Sequence, residues 1–173
     1  MITDTGQTLE ELLAQARTAY DAENKDRDVD DDYDPLADDD YFDIVWLIGK
    51  RGNQSTLDRL LALTRGDDFE RKFAVDVLGR FAFPSAIDHD RQDQHEMVLA
   101  YPERFASQRI IDRLLEMLEA ENEEEVLSSL VSSLGQQQEN DERIPLALQR
   151  FVDHPNDYLR WHLATGMGSY ETP

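Results

Sequence analysis

Apolar residues recur along this chain at helical spacing, in a unit that opens on an acid and closes on a glycine. Eleven places before Gly49, Gly79, Gly135 and Gly168 stand Asp38, Asp68, Glu124 and Asp157. Five places before the same glycines stand Ile44, Ala74, Leu130 and Leu163, and one place before them Ile48, Leu78, Leu134 and Met167. Residues four apart share one face of a helix, so each copy predicts a short helix with one apolar stripe. An acid in the first turn complements the positive end of the helix dipole. A glycine just past the last turn supplies the left-handed residue on which many helices stop. The expectation is four helices, each ending at its glycine.

Between these copies lie second apolar segments, Ser55 to Thr64, Ser107 to Leu118 and Asp141 to Val152, two of which share the tetrapeptide Asp-Arg-Leu-Leu at 58–61 and 112–115. The repeating unit is therefore a pair of helices. Gly49 to Gly79 is 30 residues, Gly79 to Gly135 is 56 and Gly135 to Gly168 is 33, so the middle interval carries one insertion, at about 80–106. Pairs at this period stack side by side, each burying what its neighbour exposes. Ahead of them, Thr8-Leu9-Glu10-Glu11 reads as a capping box, and Leu9, Leu12, Leu13, Ala16 and Tyr20 continue a helix to about Asn24. The chain thus divides into an N-terminal capping helix (1–25), an acidic linker (26–40) and the repeats (41–173).

The repeat resembles that of the HEAT-repeat proteins, including short bacterial members. Their inner helices commonly read Asp-x-x-Val-Arg-x-x-x-Ala-x-x-Leu-Gly. Here Asp157, Leu159, Arg160, Leu163, Ala164, Met167 and Gly168 follow that pattern, and Asp68 to Gly79 follows it with Arg71 and Ala74. The copies at Asp38 and Glu124 hold Tyr41 and Leu127 in the arginine place. Over residues 38–173 the resemblance implies an all-α fold, a right-handed superhelix of helix pairs forming an α-solenoid, and gives Arg71 and Arg160 a structural role beside a neighbouring acid. It implies no particular activity, because one fold hosts many.

Composition narrows the function. Cysteine is absent, which removes thiol catalysis, disulfides and thiolate metal sites. No run of about 18 apolar residues is present, and the start carries no basic stretch followed by an apolar one, so a soluble cytoplasmic protein is expected. Lysine and arginine total 17 against 38 acids, a formal net charge of −21. Residues 21–43 alone hold twelve acids against Lys25 and Arg27. Such a field repels phosphate backbones and anionic lipid and favours a basic partner.

Candidate chemistry is sparse. Asp28, Asp30, Asp32 and Asp34 alternate, with Asp39 in the twelfth place, as calcium loops require. Tyr33 stands where that loop needs glycine, and Pro35 follows it, so the stretch reads as a solvated linker with divalent affinity on the order of millimolar at best. His89 and His95, among Asp88, Asp90, Asp93 and Glu96, lack metal-ligand spacing. His154 precedes Pro155 in a turn and His162 lies within a helix, neither beside a nucleophile. A non-enzymatic protein without cofactor is expected.

If the stripe of Ile44 and Ile48 turns inward, the places seven and three before each glycine line the concave side. They are Phe42 and Trp46, Lys72 and Asp76, Ser128 and Ser132, Trp161 and Thr165. Aromatics concentrate in binding hot spots, so Phe42, Trp46, Lys72, Asp76 and Trp161, with Asp30, Asp32 and Asp34 of the linker, are the expected partner-binding residues. The functional expectation is a scaffold or adaptor for a basic protein, acting as an inhibitor or immunity-type protein, as a monomer or an end-to-end dimer. Two alternatives are a groove like that of the bilin lyases, holding a tetrapyrrole between Trp46 and Trp161, and a truncated or engineered solenoid fragment.

Overall fold

The computed structural model describes residues 6–25, 40–51, 54–82, 108–135, 137 and 141–168. These residues are helical throughout their regular parts, with no strand among them. The chain forms two compact units, Met1–Arg51 and Gly52–Pro173.

The first unit pairs α1 (Leu9–Lys25) with α2 (Asp40–Arg51). The predicted capping box opens α1: the Thr8 amide donates to Glu11 Oε2 at 2.8 Å, and the Glu11 amide donates back to Thr8 Oγ1 at 3.2 Å. Leu12 and Ala16 on α1 and Tyr41, Ile44 and Ile48 on α2 are buried, and the Tyr20 and Tyr41 rings meet at 5.9 Å. The linker at 26–39 lies outside the described residues.

The second unit holds α3 (Gln54–Leu63), α4 (Asp68–Ala82), α5 (Gln108–Ala120), α6 (Glu124–Gly135), α7 (Arg143–Leu148) with a following 3-10 turn (Gln149–Phe151), and α8 (Asp157–Gly168). Each outer helix packs on the inner helix that follows it: α3 on α4, α5 on α6, and the 3-10 turn after α7 on α8. The inner helices pack in series, α4 on α6 and α6 on α8. Of the places five and one before the glycines in this unit, Ala74, Leu78, Leu130, Leu134 and Leu163 are buried, as the spacing predicts. Full burial of one leucine stabilises by roughly 1.5–3 kcal/mol, and the stripe recurs in every pair.

Arginines tie the outer helices together at equivalent places. Gln54 donates to Asp58 one turn later, and Asp58 also accepts from Arg109 Nη2 of α5 at 2.8 Å. One layer on, Gln108 donates to Asp112, which accepts from Arg143 Nη2 of α7 at 2.6 Å. A second rung repeats the acceptors but not the donor's place: Arg113 of α5 donates to Thr64 O just past α3, and Arg150 of the 3-10 turn donates to Leu118 O near the end of α5. Cationic side chains at carbonyl-rich helix ends are favourable twice over, through hydrogen bonds and the dipole. The shared Asp-Arg-Leu-Leu segment thus repeats a contact as well as a sequence.

Two expectations change. Two helices end at their glycine, α6 at Gly135 and α8 at Gly168, while Gly79 lies inside α4 and Gly49 inside α2, and Gly6 alone has positive φ among the described residues. A Cβ at Gly79 would lie 2.4 Å from Ser133 Oγ and 2.9 Å from Ser133 Cβ. The residue is small because α4 and α6 cross closely there, and Ser133 Oγ donates to Val75 O at 3.2 Å across the crossing. The segment from Asp141 to Val152 is broken as well, α7 tightening into 3-10 geometry, where the Val152 amide donates to Gln149 O. The insertion at about 80–106 falls outside the described residues from 83 onward, α4 continuing to Ala82.

Candidate functional site

The most developed surface of the second unit runs from α4 to α8. On α4, Lys72 and Asp76 stand one turn apart, with Lys72 Nζ 2.8 Å from Asp76 Oδ2. Both side chains are largely covered, so water screens the pair less than it screens an open helix pair. Arg80 lies one turn further along, where burial pulls its guanidinium below its usual pKa against the opposing pull of Asp76. His162 of α8 feels the same pair. Burial pushes its imidazole below the ordinary histidine value, with Asp76 acting to raise it and Lys72 to lower it. The ring is therefore neutral at pH 7. Its Nε2 is buried without a hydrogen-bond partner among the described residues.

The histidine is walled by aromatics of its own helix. Its ring meets Tyr158 edge-on at 4.4 Å and Trp161 edge-on at 4.9 Å. Tyr158 and Trp161 stack on each other at 6.2 Å with 15° between planes, although they are 51% and 56% exposed. Two aromatic faces held open to water on a rigid helix suit a cation or a flat apolar group.

The expected site residues are placed unequally. Lys72 and Asp76 pair on α4, and Trp161 meets the ring of His162 on α8, whose charge state the two α4 residues influence in opposite senses. Phe42 and Trp46 belong to α2 of the first unit, Phe42 exposed and edge-on to Tyr41 at 5.2 Å, Trp46 half-buried. Asp30, Asp32 and Asp34 lie outside the described residues, as do the rest of the alternating acid motif and His89 and His95. Ser128 is buried rather than open, because α6 sits between α4 and α8, and its hydroxyl donates to Glu124 O at 2.8 Å. Tyr158 and Arg80 escaped the reading in steps of seven and three, though Tyr158 stands one turn before Trp161 and could have been found by asking what supports an exposed tryptophan.

Arg71 has the role the resemblance implies. It donates to both oxygens of Glu121, at 2.7 and 3.1 Å, lies 2.9 Å from Asp68, and donates to Gly66 O. Burial acts to raise the Glu121 pKa, but Arg71 and the amides of Glu123 and Asn122 outweigh it and hold the carboxyl below its ordinary value. Arg160 differs: it donates to the carbonyls of His154 and Pro155, tying down the turn before α8 in place of pairing with an acid. Among the described residues no cluster of three or more histidine or acidic side chains is arranged to hold a metal. No described helix is long and apolar enough to cross a membrane. No family of known proteins matches the chain, and no curated protein does either.

Proposed function

We propose that this protein is a HEAT-like α-solenoid that works without catalysis as an adaptor, docking one basic protein on the face shared by α4 and α8. The order of contacts supports the architecture: inner helices packed in series, outer helices joined by arginines at repeating places. The exposed Tyr158–Trp161 stack carries the functional reading, since two adjacent aromatic faces open to water are what binding hot spots are built from. Net charge supplies the partner's sign: at −21, with twelve acids in residues 21–43, the protein draws cationic surfaces and repels nucleic acid. Asp30, Asp32 and Asp34 contribute to that long-range attraction. An inhibitor or immunity-type protein that neutralises a cationic enzyme such as a nuclease is the specific form of this reading.

Immobilised protein is challenged with cell extract at low ionic strength and eluted in a salt gradient. A basic protein is expected to elute as salt rises, and to elute earlier from Trp161→Ala. Retention unaffected by salt and by Trp161→Ala overturns the reading.

A further inference from the structure

Aligned by their buried residues, Leu60, Leu114 and Leu148 correspond, as do Leu63, Met117 and Phe151, the last of these in the 3-10 turn after α7. In that register the last layer differs from the two before it. Thr64 and Leu118 are each 1% exposed, while Val152 in the same place is 54% exposed. Leu57 and Ile111 are buried, while Pro145 is exposed. The inner helices repeat the contrast: Val75 and Val131 are fully buried, while Ala164 is open. Where Asp58 and Asp112 accept the arginine of the following layer, the last layer carries Leu146, 72% exposed. Among these places in the earlier layers, Asp58 and Thr64 meet arginines of α5, Asp112 meets Arg143 of α7, Leu118 O meets Arg150, and Val75 O meets Ser133 of α6.

We infer that the α7–α8 end face is a docking surface for a helix from a partner, one with an apolar stripe and basic residues beside it. Two observations choose this occupant. The segments that follow the earlier outer helices bring arginines to the carbonyls of Thr64 and Leu118, and the carbonyl of Val152 stands in the same place here. The open face is rimmed by the exposed carboxylates Glu142 and Asp153 on a molecule of net charge −21, which attracts a basic helix and opposes a second copy bearing the same acids. Ala164 of this face stands one turn from Trp161 on α8, and the proposal shares with the functional reading the basic character of the partner.

The test uses a labelled synthetic peptide of roughly 18 residues, a leucine stripe flanked by arginines, and a second peptide of equal charge with serine for leucine. Binding is read by fluorescence anisotropy on the whole chain near physiological salt. The leucine peptide is expected to bind at least about tenfold tighter than the serine peptide, and Leu146→Ser with Val152→Ser, a change that leaves charge untouched, to erase that advantage. The unfolding temperature of the variant checks that it folds. Equal binding of the two peptides overturns the proposal, as does an advantage that survives the double substitution but not Trp161→Ala. Sedimentation showing a dimer of the parent that Leu146→Ser/Val152→Ser dissociates also overturns it, in favour of a second copy as occupant.

Discussion

Gly79 and Trp161 stand at opposite extremes of packing, one pressed against Ser133 and the other more than half exposed. A methyl group at Gly79 has no room against Ser133, so Gly79→Ala is expected to destabilise by about 1–3 kcal/mol in denaturant titration, although alanine in an open helix interior would stabilise by about 1 kcal/mol. A neutral or stabilised variant would show that the α4–α6 crossing relaxes freely. Trp161 is more than half exposed, so Trp161→Ala is expected to change stability by less than about 1 kcal/mol, whereas Phe73→Ala in the core costs roughly 3–5 kcal/mol. An unfolding temperature that falls as far for Trp161→Ala as for Phe73→Ala would make the tryptophan a packing residue. The sequence pattern gave the helical position of both residues. It could not tell a glycine that ends a helix from one that lets two helices touch, because both follow the same apolar stripe.

Contacts between helices carry the pH and salt dependence. Burial depresses the His162 pKa, with the charges of Asp76 and Lys72 opposing each other, so the unfolded chain takes up its proton first as pH falls. Its stabilising contribution is complete above the unfolded value of about 6.5 and is lost as pH drops from there toward the folded pKa. Melting curves between pH 5 and 8 are expected to fall more steeply on the acid side for the parent than for His162→Gln, and parallel curves would remove the histidine from the account. Glu121 behaves like an ordinary paired carboxylate: its contribution holds above the unfolded pKa and disappears as pH falls through the lowered folded one. The rung between Arg143 and Asp112 is about half exposed on both sides. Arg143→Ala is expected to lower stability at low salt and to be nearly silent at high salt, as double-mutant analysis with Asp112→Ala can verify.

Across the whole molecule the excess of 21 negative charges acts as self-repulsion that folding must overcome. The unfolding temperature is expected to rise as sodium chloride is added, since screening relieves crowded carboxylates more than it weakens the few partly buried pairs. A fall with salt would mean that ion pairs outweigh repulsion. The same charge couples stability to binding, because a basic partner relieves the repulsion that salt would otherwise screen.

Helix positions, the paired organisation and the inward stripe followed from spacing alone, because a period of 3.6 residues with leucine or alanine at fixed places admits one burial face per helix. The capping box at Thr8 and the structural role of Arg71 were readable for the same reason, both being local or repeated. Tertiary packing decided the rest. Ser128 became core because α6 has helices on both sides, His162 came within the field of Lys72 and Asp76 because α4 and α8 both pack on α6, and Leu146 and Val152 are open because no described helix lies beyond them. Periodicity tells which side of a helix is greasy; only the neighbours determine which greasy side is covered.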